Sequence, residues 1–244
     1  MARSIVYDTP PLVRPILTPL VPLLEHGRYG SGEMLQAWLQ YLLVPFGLAE
    51  PDPSWLPEDR ARLTEAAVAY EAVVRAERPF FDVLGPLYMG IASRWRSQWL
   101  GQYFTPWPIA EMLVALNDLP DRWAALQDGT RPAPISVSDP AAGSGVLLLA
   151  HAAALTRIAG AEAVATLHVH AVDVDRLCAR MTAAQFLVNW AVHEMPLWEL
   201  EVYHGDSLRL ETKACIVHAS DRRRFPNTDV PDGPTSTPEQ RREA

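Results

Sequence analysis

The spacing of apolar residues changes character near Gly101. Before it, apolar positions recur at helical spacing. In residues 32–46, Leu35, Trp38, Leu39 and Leu42 share one face and predict an amphipathic helix. Residues 58–77, rich in alanine and charge, predict a second. Residues 80–98, with Phe81, Leu84, Tyr88 and Ile91 in phase, predict a third. After Gly101, helical stretches (106–116, 145–158 and 177–192) alternate with short β-branched or alternating runs (135–138, 168–172, 199–204 and 214–217). Such alternation with short connections predicts a parallel sheet with right-handed crossovers. The expected fold is therefore an α/β domain over residues 101–218 behind a helical amino-terminal lobe over residues 1–100.

Proline refines this picture at both ends. The chain carries 22 prolines. The run PPLVRPILTPLVPLL predicts short helical turns in place of a long helix, because an interior proline removes a backbone donor and crowds the preceding turn. Residues 51–57 read as a turn-rich linker. From Ala219 onward the chain is polar, charged and proline-rich, which predicts a disordered tail over residues 219–244, since few apolar groups are present to offset the entropy of ordering.

Composition sets limits on partners and compartment. Apolar residues make up 49% and charged residues 20%, an ordinary globular balance. The net charge of −8 provides no global attraction to DNA or to an anionic membrane, so any nucleic-acid contact must be local. The apolar run 146–155 is interrupted by His151, is followed by Arg157, and falls short of the roughly 20 residues that cross a bilayer. The amino terminus lacks the apolar stretch of a signal peptide. Cys178 and Cys215 form no CxxC pair and are expected as buried thiols, not as a disulfide or a metal site. The expectation is a cytoplasmic protein without membrane contact.

Four local patterns carry candidate chemistry. Asp139-Pro140-Ala141-Ala142-Gly143-Ser144-Gly145 lies between a predicted strand and a predicted helix, where ligands bind in doubly wound sheets. Its glycines allow close approach of the backbone. Leu148 stands where a dinucleotide fingerprint has its third glycine. The Asp139 carboxylate would repel a pyrophosphate and favour a sulfonium or ammonium group. Upstream, Gly101-Gln102-Tyr103-Phe104-Thr105-Pro106 predicts a helix start, with Thr105 at the N-cap and Pro106 in the first turn. At the end of the second predicted strand, Asp173 is placed to hold ribose hydroxyls, with Val174 beside it and Asp175 capping the next helix. After the third strand, Gly205-Asp206 offers an acceptor for an exocyclic amine.

In this order the four elements resemble the N6-adenine DNA methyltransferases, most closely the modification subunit of type I restriction-modification systems. The family's GxxxTP element matches residues 101–106, its DPAxGSG loop matches 139–145, its acidic residue after the second strand matches Asp173, and its GD pair matches Gly205-Asp206. Asp82-Val83-Leu84-Gly85-Pro86-Leu87-Tyr88 is similar to the family's lead-in to GxxxTP. The resemblance implies a Rossmann-like S-adenosylmethionine-dependent methyltransferase fold, S-adenosylmethionine as cofactor and DNA as substrate. It also implies site residues: Tyr103, Phe104, Thr105 and Pro106 at the methionine end, Asp139, Pro140, Ala141, Gly143 and Gly145 under the cofactor, Asp173 on the ribose, Val174 against the adenine, and Asp206 on the adenine amine.

The family's catalytic element, Asn/Asp-Pro-Pro-aromatic after the fourth strand, has no counterpart after the run 214–217, where His218-Ala219-Ser220-Asp221 follows. No catalytic residue is assigned, and the sheet is expected to be incomplete. Two readings follow: a cofactor-binding protein inactive alone, or one part of a split methylase. In both, the run 214–217 is expected as an interior apolar strand with one edge unpaired, which self-association or a partner polypeptide would complete. A third reading, from another class, is a non-enzymatic DNA- or protein-binding regulator on a degenerate methyltransferase fold. Arg94, Arg96 and Arg222, Arg223, Arg224 would then contact phosphates. A nicotinamide oxidoreductase is disfavoured by Leu148 and Asp139.

Overall fold

The computed structural model describes residues 9–25, 29–92, 104–130 and 134–220. It is a mixed α/β structure. Eight helices and one four-stranded sheet are present among the described residues. A single hydrophobic core runs from the amino-terminal helices into the sheet.

The lobe is built from α1 (Arg14–Glu25), α2 (Ser31–Leu43), α3 (Pro57–Ala76) and α4 (Leu84–Ala92). α2 and α3 form where their apolar periodicity predicts them. Each start is fixed by an acid of the first turn: Glu33 accepts the Gly30 N–H at 2.8 Å, and Asp59 accepts the Leu56 N–H at 3.2 Å. α1 corrects the expectation of short turns. A 3-10 turn at Pro11–Val13 leads into a 12-residue helix that holds Pro19 and Pro22 internally. Its Ile16, Leu17 and Leu20 are fully buried as it packs on α3. Burying three such side chains contributes roughly 1.5–3 kcal/mol each, which offsets the lost backbone bonds. α4 starts at Leu84 and not at Phe80. Phe80 has a left-handed φ of 62°, and the Asp82 carboxylate accepts the Gly85 N–H at 2.8 Å, so the first turn opens after Asp82. The predicted continuation to residue 98 lies outside the described residues.

The second half alternates as predicted: α5 (Trp107–Ala115), α6 (Leu119–Gln127), β1 (Ile135–Asp139), α7 (Val146–Val164), β2 (Leu167–Asp173), α8 (Arg176–His193), β3 (Glu199–Asp206) and β4 (Glu211–Ser220). α6 has no counterpart among the helices predicted from apolar spacing. α7 runs beyond residue 158, through a break at Ala159 and Gly160. By length and composition alone α7 is long and apolar enough to cross a membrane. Here it packs on α5, β1 and β2, and Leu149, Ala152 and Leu155 are fully buried.

The strand order is β1-β2-β3-β4. β1–β2 and β2–β3 are parallel, whereas β4 pairs antiparallel with β3, and this corrects the expectation of a fourth parallel strand. The cause is local. Only Ser207, Leu208, Arg209 and Leu210 separate β3 from β4, and a parallel return needs a crossover of about a dozen residues or more. β4 is therefore an outer strand beyond β3, not an interior one. Among the described residues no strand pairs the other side of β1, where Arg122 of α6 donates through Nη2 to the Ser136 carbonyl at 3.2 Å.

Parallel sheets usually have both faces covered and read as continuous apolar runs. Here the strands alternate. Leu167, Val169, Ala171, Leu200, Val202 and Val217 are buried beneath α7 and α8, while Ser136, Ser138, His168, His170, Glu201, Tyr203 and His218 are partly or fully exposed.

Candidate cofactor site

The 139–145 loop leaves β1 at its carboxyl end and opens α7. Asp139 stabilises the turn by accepting the Ala141 N–H at 3.0 Å. Ala142 donates its N–H to the Val172 carbonyl at 3.0 Å, which ties the loop to β2. Gly143 (φ 58°) and Gly145 (φ 87°) occupy left-handed backbone, and Gly145 is the N-cap of α7. Both are also closely approached by side chains. A Cβ on Gly143 would meet the Phe104 ring at 3.1 Å, and one on Gly145 would meet Thr182 at 3.0 Å.

Phe104 thus lies on the loop, with its ring against Tyr88 at a centroid distance of 4.8 Å. Asp173, at the tip of β2, accepts the Gly143 N–H at 2.8 Å through Oδ2 and the Asp175 N–H at 2.8 Å through Oδ1. Burial raises its pKa above the usual aspartate range, against those two bonds. Val174 is 59% exposed beside it, an apolar surface at the strand tips. Asp175 caps α8 as expected, accepting the Leu177 N–H. On the far side, Ser207 donates to the Pro140 carbonyl at 2.8 Å, joining the turn after β3 to the loop. Asp206 accepts the N–H groups of Leu208 and Arg209, both at 3.1 Å, and pairs with Arg209 at 3.5 Å, so it organises its own turn.

The structure therefore gathers Phe104, the 139–145 loop, Asp173 and the 206–207 turn at one end of the sheet. Thr105 and Pro106 follow Phe104, but Pro106 and not Thr105 is the N-cap of α5: Pro108 occupies the first turn and shifts the start by one residue. Tyr103, Gly101 and Gln102, and the arginines 94, 96 and 222–224, lie outside the described residues.

A supporting network was not anticipated from sequence. Asp82 is 3% exposed and accepts from the Gly85 N–H at 2.8 Å, Gln185 Nε2 at 2.8 Å and Ser144 Oγ at 3.1 Å. Gln185 also donates to the Ser144 carbonyl at 2.8 Å and accepts the N–H groups of Val83 and Leu84. Asn189 accepts the Phe80 N–H at 2.6 Å, and Thr182 donates to the Gly143 carbonyl at 3.1 Å. Thr182, Gln185 and Asn189 stand at i, i+3 and i+7 of α8, all at most 1% exposed. That polar stripe on a buried helix is the signal that would have found them. Burial raises the pKa of Asp82, opposed by its three hydrogen bonds.

A model described as N-6 DNA Methylase matches residues 81–222. The chain belongs to that family. The match begins just before Asp82 and spans the glycine loop, Asp173 and Asp206, so the family's region coincides with the gathered site and the network beneath it. Members of the N-6 DNA methylases typically use S-adenosylmethionine, and DNA is their substrate class. No curated protein and no solved structure matches the chain.

Proposed function

We propose that this chain is the S-adenosylmethionine-binding part of an N6-adenine DNA methyltransferase, of the type I modification-subunit kind, with a Rossmann-like cofactor fold, working in the cytoplasm. The observation that carries the reading is the contact of Phe104 with Gly143, whose N–H is held by Asp173. Three sequence elements far apart in the chain meet there. The residues fit the cofactor. Asp139, Asp173 and Asp206 make the strand ends acidic, which suits a sulfonium and an ammonium group and opposes a pyrophosphate. Each Asp173 oxygen keeps a second lone pair for a ribose hydroxyl. Val174 offers the adenine an apolar wall, and Asp206 an acceptor. Phe104, Thr105 and Pro106 line the methionine end, and Pro140 and Ala141 keep the loop close to the ligand. S-adenosylmethionine supplies the methyl group for transfer; the chain's part is to bind and orient it.

Calorimetry with S-adenosylmethionine or S-adenosylhomocysteine is expected to show one site. Asp173→Ala should weaken it by about 1.5–3 kcal/mol, the cost of a lost hydrogen bond to a charged group. Circular dichroism would check that the variant folds. Folded wild-type protein that gives no heat at millimolar ligand sinks the proposal.

The amine-orienting Asn/Asp-Pro-Pro-aromatic element, which this sequence lacks, is assigned to a strand on the open side of β1 contributed by a partner polypeptide or by a further segment of a longer chain. Support comes from the sheet order: β4 takes the outer side of β3, and among the described residues no strand pairs the other side of β1. The 244-residue chain alone is therefore expected to transfer no methyl group to DNA. Sequence-specific incorporation of tritiated methyl above a Gly143→Asp, Gly145→Asp control would refute this.

A further inference from the structure

The half-exposed face of the sheet gathers four ligating side chains that the cofactor site does not use. β3 contributes two carboxylates at i and i+2, Glu199 and Glu201. The register sets His168 of β2 opposite Glu199 and His218 of β4 opposite Glu201. His218 Nε2 lies 2.7 Å from Glu199 Oε1, and His168 Nε2 lies 2.8 Å from Glu201 Oε2. The donor atoms of Glu199, Glu201 and His218 lie within 4.8 Å of one another. We propose that Glu199, Glu201, His218 and His168 form a binding site for a divalent transition-metal ion of the zinc class.

Four observations support the site. First, the donor set is two imidazoles and two carboxylates, a combination that suits zinc and its neighbours, whereas magnesium and calcium prefer oxygen alone. Second, zinc–ligand bonds of about 2.0–2.1 Å put tetrahedral donor atoms about 3.4 Å apart, which side-chain rotation reaches from the 4.8 Å spread of Glu199, Glu201 and His218, while His168, 2.8 Å from Glu201, must turn further to complete the set. Third, two carboxylates balance the charge of one divalent ion. Fourth, the outer partners are in place. Ser136 Oγ lies 3.4 Å from His168 Nδ1, so it can take that N–H when Nε2 binds the ion, and the Tyr203 hydroxyl donates to Glu201 Oε1 at 2.9 Å.

Glu199 and Glu201 lie toward the amino end of β3. At about 3.3 Å per residue, Glu201 is roughly 16 Å along the strand from Asp206. The ion does not reach the cofactor loop. It clips β4, the antiparallel outer strand, to β2 and β3, a structural role of its own.

The test uses tag-free full-length protein, dialysed against a chelator and then titrated with Zn2+ by calorimetry and with Co2+ by visible absorption. One equivalent is expected to bind, with the intense bands of a tetrahedral cobalt site and a raised melting temperature. His218→Ala and Glu201→Gln should each weaken binding at least tenfold. His170→Ala, on the same face but outside the set, should leave it unchanged. The His218 side chain is 53% exposed, so its loss leaves the core untouched, and circular dichroism checks the fold. Absent uptake, the weak spectrum of a solvated cobalt ion, or equal binding by His218→Ala and wild type would each overturn the proposal.

Discussion

Asp82→Ala is expected to lower the stability of the folded chain by about 3 kcal/mol or more. Asp82 has almost no contact with water and accepts three hydrogen bonds, from Gly85, Gln185 and Ser144. Alanine leaves three buried donors without an acceptor, and each unmet buried donor costs about 1–3 kcal/mol. The loss spreads to the site, because Ser144 sits between Gly143 and Gly145 and Gln185 holds the Ser144 carbonyl. Asp82→Asn separates shape from charge, since the amide keeps an acceptor for Gly85 and Gln185 and can donate to Ser144. Its effect depends on pH. Burial places the folded-state pKa of Asp82 above its unfolded value. The favourable contribution is therefore fully present in acid, below the ordinary aspartate range, and is lost as pH rises through the folded value. Asparagine does not titrate, so Asp82→Asn should gain on the wild type as pH rises from the ordinary aspartate range through the folded value. Urea unfolding at a series of pH values measures it. Parallel stability curves, or alanine and asparagine variants that behave alike, would show that the carboxylate is not held as described.

Much of the fold was legible because local patterns dominate it. α2, α3, α5, α8 and β1 to β3 follow apolar periodicity, and the glycine loop announces itself within seven residues, 139–145. The misreadings have physical causes. In α1, burial of Ile16, Leu17 and Leu20 outweighs the helix-breaking cost of Pro19 and Pro22. In β4, apolar content indicated a strand, but orientation is fixed by the brevity of the connection, which becomes clear once β3 reaches Asp206 and β4 starts at Glu211. The Asp82 network was missed because its members meet across the fold: Gln185 and Val83 are separated by 102 residues, and Asn189 and Phe80 by 109. The Glu199, Glu201, His168 and His218 cluster escaped for the same reason, since no linear spacing encodes a register between three strands.

Gly143→Val is expected to weaken S-adenosylhomocysteine binding at least a hundredfold, about 2.7 kcal/mol, while leaving the protein folded. Two effects act together at this position. The backbone sits at φ 58°, a region that β-branched residues scarcely populate, so valine forces the loop to change conformation at a cost of about 1–3 kcal/mol. Its Cβ would also press on the Phe104 ring at 3.1 Å, and that ring is backed by Tyr88. Either adjustment moves the Gly143 N–H from Asp173, which is then free to turn away from the strand tip. Gly129→Ala is the control. Gly129 has φ 75° but open space around its Cβ position, in a turn outside the gathered site. It should show a small stability loss from backbone strain and unchanged ligand affinity. Gly143→Ala, which keeps the steric clash but lacks β-branching, should fall between the two. Calorimetry and chemical unfolding on the three variants provide both readouts. Binding by Gly143→Val within threefold of wild type, in a chain whose wild type does bind, would mean that the cofactor lies elsewhere than over the Phe104–Gly143–Asp173 contact.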